Sequence, residues 1–241
     1  MIKINDYVTR KSYHHDMVFK IIKIDNNLAT LKGFDYRLYA NAPLKDLSKY
    51  EIREEAKNET LLPIQSKNYL KGKVLHLDSD AQYLKRCMKL YEEYKVPAIG
   101  YQLSEKEMPL KIIELLNQHH PDILIITGHD SIDKNGHYLH SKFFIESVKK
   151  ARIYQPSKDA LCIISGACYS AFKELIYEGS NISSSPGKVS IHVLDPAKVA
   201  IMVATTPVTN YVEMEKVIDL TSNKEKGMGG IDTKGVARKI Y

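Results

Sequence analysis

Residues 123–129, Ile-Leu-Ile-Ile-Thr-Gly-His, and residues 161–168, Leu-Cys-Ile-Ile-Ser-Gly-Ala-Cys, follow one design: a short apolar run, a glycine, then a side chain able to do chemistry. Runs of this kind, rich in β-branched residues and closed by glycine, are read as buried strands whose last residues turn into loops. Neighbouring parallel strands bring His129 and Cys168 together at the carboxyl edge of a sheet, where open α/β folds form their ligand crevice. A thiol placed there beside an imidazole can attack a carbonyl.

Outward from these two runs, the grammar from Lys73 onward is an alternation of strands and helices. Val74-Leu75-His76-Leu77 is a strand, and Ala81, Leu84, Cys87, Met88 and Tyr91 then recur at helical spacing. Pro97 to Tyr101 is the next strand. Ser104-Glu105-Lys106-Glu107 has the spacing of a capping box ahead of Leu110, Ile113 and Leu116. A loop from Asp130 to Tyr138 leads to a helix carrying Phe143, Phe144 and Val148, a further helix runs near Phe172 to Tyr177, and Ile191 to Leu194 is a late strand. Such alternation implies a parallel sheet with right-handed crossovers, here over residues 73–241.

Residues 1–47 read differently. Tyr7-Val8, Val18 to Ile22, Leu28 to Leu31 and Tyr36 to Tyr39 are short alternating stretches, separated by turn chemistry at Asp25-Asn26-Asn27 and Lys32-Gly33. Close, regular strand spacing of this kind predicts a small antiparallel SH3-like β-barrel. Residues 48–72 read as a linker with a helical beginning, Tyr50 through Glu59. No internal repeat or low-complexity tract occurs, which sets solenoid architectures aside.

A chain of 241 residues with 44% hydrophobic content supports one well-packed domain and a smaller one. The formal charge of +6 is spread along the chain, and even the first 46 residues hold only eight basic residues against five acidic ones, short of a nucleic-acid footprint. Cys87, Cys162 and Cys168 are an odd set in unrelated settings, which fits reduced thiols of the cytosol. Cys87 and Cys162 fall on apolar stripes and read as core. The first residues carry no signal-like pattern, and no run approaches a membrane span, so the expectation is a soluble cytoplasmic protein.

His137, His140 and His192 with His129 and Asp130 offer metal-ligand chemistry, but their spacing matches no zinc motif, and loop histidines explain them more simply. No metal or cofactor is implied. Ser183-Ser184-Ser185-Pro186-Gly187 reads as a mobile loop near the crevice by its order in the chain, a plain turn sooner than a substrate-facing rim. Gly227-Met228-Gly229-Gly230 lacks the lysine and the strand-to-helix setting of a phosphate loop, and reads as a tight turn or channel wall.

Gly128-His129 and Ala167-Cys168, each behind its apolar strand, resemble the caspase and clostripain-like cysteine peptidases. The chain resembles the sporulation-specific YabG peptidases more closely, through Arg10-Lys11-Ser12-Tyr13, Lys73 to Asp78, Ile126 to Asp130, Gly166-Ala167-Cys168, Leu194-Asp195-Pro196 and Lys226 to Ile231. Each motif is weak alone; their order and spacing, over almost the whole chain, are specific. The resemblance implies a caspase-like sandwich of a parallel sheet between helices. It also implies an endopeptidase of the sporulating mother cell that acts without a cofactor on spore coat proteins and cortex-associated machinery, cleaves after arginine and cleaves itself. Cys168 is then the nucleophile and His129 the general acid and base, with an acyl-enzyme hydrolysed by water. Backbone N–H groups of Cys168 and Asp130 hold the oxyanion.

Asp130 departs from the wider group, which usually has glycine there. Its carboxylate has three readings: it crowds the crevice, orients His129 or meets a basic substrate. An arginine pocket needs a carboxylate for bidentate pairing. Asp195 is the first candidate, Asp78 and Asp80 the second, with helix N-capping the plain alternative for all three. Arg152 and Arg238, read as exposed, are candidate self-cleavage points. Two other classes stay open: a noncatalytic spore-assembly scaffold, and a nucleic-acid binder built on the basic barrel, whose affinity would weaken steeply with salt.

Overall fold

The computed structural model describes residues 2–52 and 68–241, which fall into two compact units. The greater part of the expected linker, including most of its helical beginning, lies outside the described residues.

The N-terminal unit is an antiparallel sheet of β1 (Tyr7–Arg10), β2 (Phe19–Asp25), β3 (Leu28–Gly33), β4 (Tyr39–Pro43) and β5 (Leu47–Lys49), ordered β4-β3-β2-β1-β5. Val8, Phe19, Ile21, Ala29, Leu31, Ala42 and Leu47 form its core. The fourth strand begins at Tyr39, later than the sequence pattern suggests, because the chain first folds back at Gly33. A Cβ there would lie 2.3 Å from the Tyr36 carbonyl oxygen, so glycine is required by close approach. The Arg10-Lys11-Ser12-Tyr13 motif is structural: the Arg10 guanidinium stacks 3.7 Å above the Tyr13 ring, while the Ser12 N–H and hydroxyl both donate to Asp46.

The second unit begins with β6 (Tyr69–Leu70) and continues with β7 (Val74–Asp78), α1 (Ala81–Glu93), β8 (Ala98–Gln102), α2 (Met108–His119), β9 (Ile123–Thr127), α3 (Ser141–Tyr154) and β10 (Cys162–Ser165). Then come α4 (Phe172–Tyr177), β11 (Ile182–Ser184), α5 (Asp195–Thr205), β12 (Tyr211–Val212), α6 (Met214–Leu220), β13 (Met228–Gly230), β14 (Thr233–Lys234) and β15 (Arg238–Lys239). Its main sheet has the order β13-β11-β10-β9-β7-β8, parallel throughout except that β13 runs antiparallel to β11. The fold is therefore α/β with a mixed, mostly parallel sheet, accompanied by an antiparallel sheet at the N-terminal end of the chain.

Period-two alternation sorts each central strand between two apolar layers. Ile123, Ile125, Cys162 and Ile164 pack with α1 and α5, whereas Leu124, Ile126 and Ile163 pack with α2, α3 and α4. Because both faces are covered, these strands are apolar at nearly every position. Cys162 and Cys87 are core thiols; burial pushes the Cys162 thiol up to about 12. Among the described residues no helix is long and apolar enough to cross a membrane.

Several local expectations need correction. On α2 the buried face is Met108, Ile112, Leu115 and Leu116, while Leu110 and Ile113 are exposed; the apolar residues supply two helical phases, and packing selects the other one. Only half of the Ser104–Glu107 box forms, in the turn ahead of the helix: Glu107 accepts from the Ser104 N–H and hydroxyl, while its own N–H goes to the Ser104 carbonyl. Ile191, Val193 and Leu194 are buried, but the stretch is no strand. It turns at His192, whose carbonyl takes the Asp195 N–H, and runs into α5, where Pro196 occupies a first-turn position that needs no donor. Ser183 and Ser184 belong to β11 and Ser185 is 1% exposed, so this serine run is a buried strand end and not a mobile loop. Gly227 leads into β13, where a Cβ at Gly230 would lie 2.2 Å from the Asn181 carbonyl oxygen. Arg152 is no exposed point for cleavage: it is half-buried and donates to the carbonyls of Gln155, Ser157, Leu161 and Gly179 and to Asn181. Arg238 is exposed, but lies in β15 and donates through both terminal nitrogens to Asp122.

Candidate active site

β9 and β10 are direct parallel neighbours, and their last paired positions are Ile126 and Ser165. The Gly166 N–H adds one more rung to the Ile126 carbonyl at 3.0 Å. His129 stands three residues past Ile126 and Cys168 three past Ser165, so both leave the sheet at the same edge and at the same level. The loops after β7 and β8 end there too, with Ser79 N–H donating to the Thr127 carbonyl and Leu103 N–H to the Asp78 carbonyl.

The histidine arm is built from carboxylates. Glu105 Oε1 accepts the His129 backbone N–H at 2.9 Å and lies 4.0 Å from Nδ1. Asp80 Oδ2 lies 3.8 Å from Nε2, Ser79 Oγ is 3.3 Å from Nδ1, and the Tyr83 ring packs beside the imidazole at 5.7 Å between centroids. Gly128 makes this enclosure possible: a Cβ there would lie 2.7 Å from Ser79 Oγ and 2.8 Å from Glu105 Oε1. Asp130 turns away from the ring. Its Oδ1 accepts the Ser131 and His140 N–H groups, and Oδ2 accepts the Ser141 hydroxyl. His140 Nδ1 is 2.8 Å from the His129 carbonyl oxygen, and His137 pairs with Asp133. Among the described residues no group of three or more His, Cys, Asp or Glu is placed to hold a metal ion.

The cysteine arm is built from serines and backbone N–H groups. Gly166 bends the chain out of β10 at φ +101°, and Tyr169 takes the left-handed conformation at φ +57°. Ser170 Oγ closes the turn on the N–H and carbonyl of Ala167. Ser185 Oγ accepts the N–H groups of Tyr169 and Val189 and donates to the Val189 carbonyl. The Ala171 N–H donates to Ser141 Oγ at 2.8 Å. The sulfur itself accepts the Ile191 N–H at 3.1 Å, and Cys168 is 1% exposed while the His129 side chain is 16% exposed.

The three carboxylates expected in a substrate pocket are all buried. Asp195 is fully so; its oxygens take the N–H and hydroxyl of Ser222, and burial raises its carboxyl to about 6. Asp78 accepts the Asp80 N–H and the Thr127 hydroxyl, and Thr127 Oγ1 in turn lies 2.9 Å from His76 Nε2. Asp80 caps α1 through Oδ1, which accepts from Gln82 and Tyr83, and turns Oδ2 toward His129. Capping, the plain alternative, holds for Asp80; Asp195 sits in the first turn of α5, next to the capping position Leu194.

Sequence reasoning did not find Ser79, Glu105, Ser141, Ser170 and Ser185 as parts of this site. Ser79 and Glu105 had a readable signal, since both fall just after strands whose carboxyl ends must share the edge with His129. Ser185 falls in the run read as lying near the crevice, but not as an anchor, while Ser141 and Ser170 had no signal, because a serine on a tight turn or helix start serves local structure more often than a site.

The chain matches, over residues 3–70 and 59–241, the profile of a family described as YabG peptidase U57. It is also 37% identical to the sporulation-specific protease YabG of Bacillus subtilis strain 168, over 98% of this chain and 96% of that protein.

Proposed function

This chain belongs to the YabG peptidase family, and from that premise we propose that it is a cysteine endopeptidase in which Cys168 attacks the scissile carbonyl and His129 manages the protons. The family and the likeness to a sporulation-specific protease establish a peptidase of sporulation that acts on protein substrates. The observation that carries the cysteine mechanism is the matched exit of His129 and Cys168 from adjacent parallel strands. A thiolate there adds to the carbonyl, His129 delivers a proton to the leaving amine, and water then hydrolyses the thioester. Backbone N–H groups of Cys168 and Asp130 are the proposed oxyanion donors. Cys168 is 1% exposed and its sulfur accepts the Ile191 N–H, so attack on a substrate calls for that contact to open.

The finer architecture belongs to the same reading: a caspase-like peptidase domain over 73–241, a linker over 48–72 and an SH3-like barrel over 1–47. So do arginine preference, coat-protein substrates, self-cleavage and action in the mother cell and at the spore coat. For the arginine pocket Asp195 is reachable only if Ser222 releases it, whereas Asp80 already stands beside the imidazole; Asp78 is the third candidate. Wild type, Cys168→Ala and His129→Ala are incubated with an arginine-containing spore coat protein, and fragments are read by mass spectrometry. Both variants are expected to leave the protein intact. Cutting by Cys168→Ala would sink the mechanism. Arginine and lysine peptides compared on Asp195→Asn, Asp78→Asn and Asp80→Asn locate the pocket, and undiminished arginine preference in all three removes these assignments.

A further inference from the structure

Asp130, Ser141 and Ala171 form a chain of contacts that crosses from one arm of the site to the other. Asp130 follows His129 directly, is 8% exposed, and commits Oδ1 to the Ser131 and His140 N–H groups, both at 2.8 Å. Its Oδ2 takes the hydroxyl of Ser141, and the same Ser141 oxygen accepts the N–H of Ala171 at 2.8 Å, three residues beyond Cys168. Ser141 is 2% exposed and opens α3, while Ala171 immediately precedes α4. The histidine segment is fastened to this group a second time, through His140 Nδ1 on the His129 carbonyl oxygen.

We propose that Ser141 is a positioning residue: its hydroxyl joins the histidine arm to the cysteine arm and fixes the spacing at which imidazole and sulfur react. The proposal rests on the Cys168/His129 reading. Only a group that donates and accepts through one atom can bridge a carboxylate to an N–H at this spacing, and a hydroxyl is the smallest side-chain group that does so. The negative end on Asp130 polarises the chain, so each bond strengthens the other in a dry environment. It also gives Asp130 a role among the three left open by the sequence. The carboxylate orients the histidine arm from behind, with both oxygens engaged away from the ring.

Purified full-length protein is assayed on a fluorogenic peptide with one arginine, and unfolding midpoints are measured on the same samples. Ser141→Ala is expected to lower kcat by roughly 10–100-fold with KM changed by less than about threefold, since sub-ångström misplacement of reacting groups costs rate and not binding. Ser141→Thr, which keeps the hydroxyl, is expected to recover most of that loss. Asp130→Asn keeps an acceptor for the two N–H groups but turns an N–H toward Ser141, and its loss combined with Ser141→Ala is expected to be far from additive. Wild-type kcat in Ser141→Ala, with Cys168→Ala inactive, overturns the tether and leaves the dyad standing. Activity in Cys168→Ala overturns the dyad instead. A loss of kcat in Ser141→Ala that merely follows a lowered midpoint, without recovery in Ser141→Thr, overturns the positioning role.

Discussion

The two arms meet at one sheet edge but are built from opposite materials. Around His129 stand the carboxylates of Glu105 and Asp80, with Asp130 behind them; around Cys168 stand Ser170, Ser185, Ser141 and backbone N–H groups. The difference follows from the charges each group must carry. An imidazole that takes up a proton is stabilised by nearby anions, and a sulfur that becomes a thiolate is stabilised by neutral donors and opposed by carboxylates. Keeping the anions on one side lets a single crevice hold both charges.

The largest expected effect comes from removing a neutral anchor of the cysteine arm. Ser185→Ala takes an acceptor from the Tyr169 and Val189 N–H groups and a donor from the Val189 carbonyl in a partly buried turn, leaving only the long 3.4 Å contact of the Tyr169 N–H with that carbonyl. A buried group left without a partner costs on the order of 1–3 kcal/mol and a partly exposed one less, so a loss of about 3 kcal/mol in unfolding free energy is expected over the three groups, together with most of the activity. Denaturant midpoints measure it. A loss under about 0.5 kcal/mol, the range of ordinary surface changes, would mean that Ser185 does not hold the arm.

Asp195 shows what burial costs a carboxylate away from His129, even with the His192 Nδ1 4.0 Å from its Oδ1. Its pKa is raised by burial, so the folded state holds a proton that the unfolded chain has lost. That contribution is complete below about pH 4 and disappears as pH rises through about 6. Asp195→Asn is expected to flatten the stability profile across this window and, near pH 7, to be more stable by on the order of 2 kcal/mol. Equal slopes in parent and variant would remove this account. If Asp195 also forms the arginine pocket, the same variant loses its preference for arginine over lysine, which separates a specificity role from a folding cost.

The architecture of the larger unit was legible because both faces of its sheet are covered: apolar runs at Val74, Ile123 and Leu161 announce buried parallel strands, and glycines at 128 and 166 mark where they end. Phase was not legible on α2, where Met108 and Leu110 are equally apolar and only the contacts with the sheet decide. Nor was the serine run at 183–185, whose composition suggests a turn but whose hydroxyls find partners inside the unit, Ser183 on the Ser165 hydroxyl, Ser184 on Met228 Sδ and Ser185 on the Val189 carbonyl. At the site, the reacting pair was readable from chemistry at the two strand ends. Of its supports only Ser79 and Glu105, just past strand ends, carried a signal; Ser141, Ser170 and Ser185 follow three further strands, and only the strand order brings them together.

Gly128 tests the crowding on the histidine side. Gly128→Ala drives a methyl group into Ser79 Oγ and Glu105 Oε1, the ends of side chains that can give way, so stability is expected to change little. The imidazole loses its enclosure, and kcat is expected to fall about tenfold, the effect of a small misplacement. An unchanged kcat would show that His129 is held by its own backbone alone.

Glu105→Gln is the finest probe, because it exchanges charge for neutrality at nearly constant shape. The amide oxygen still accepts the His129 N–H, so the arm keeps its place, while the anion 4.0 Å from Nδ1 is gone. Even at the dielectric of water the imidazolium loses roughly 1 kcal/mol of support, so kcat is expected to fall by at least about threefold to tenfold with KM unchanged. Glu105→Ala, which removes charge and acceptor together, is expected to lose more, and the gap between the two variants measures placement apart from charge. If Gln and Ala fall equally, the carboxylate matters as an anion. If Gln matches wild type, the carboxylates of this arm are scaffolding, and the division between an anionic histidine side and a neutral cysteine side has no part in catalysis.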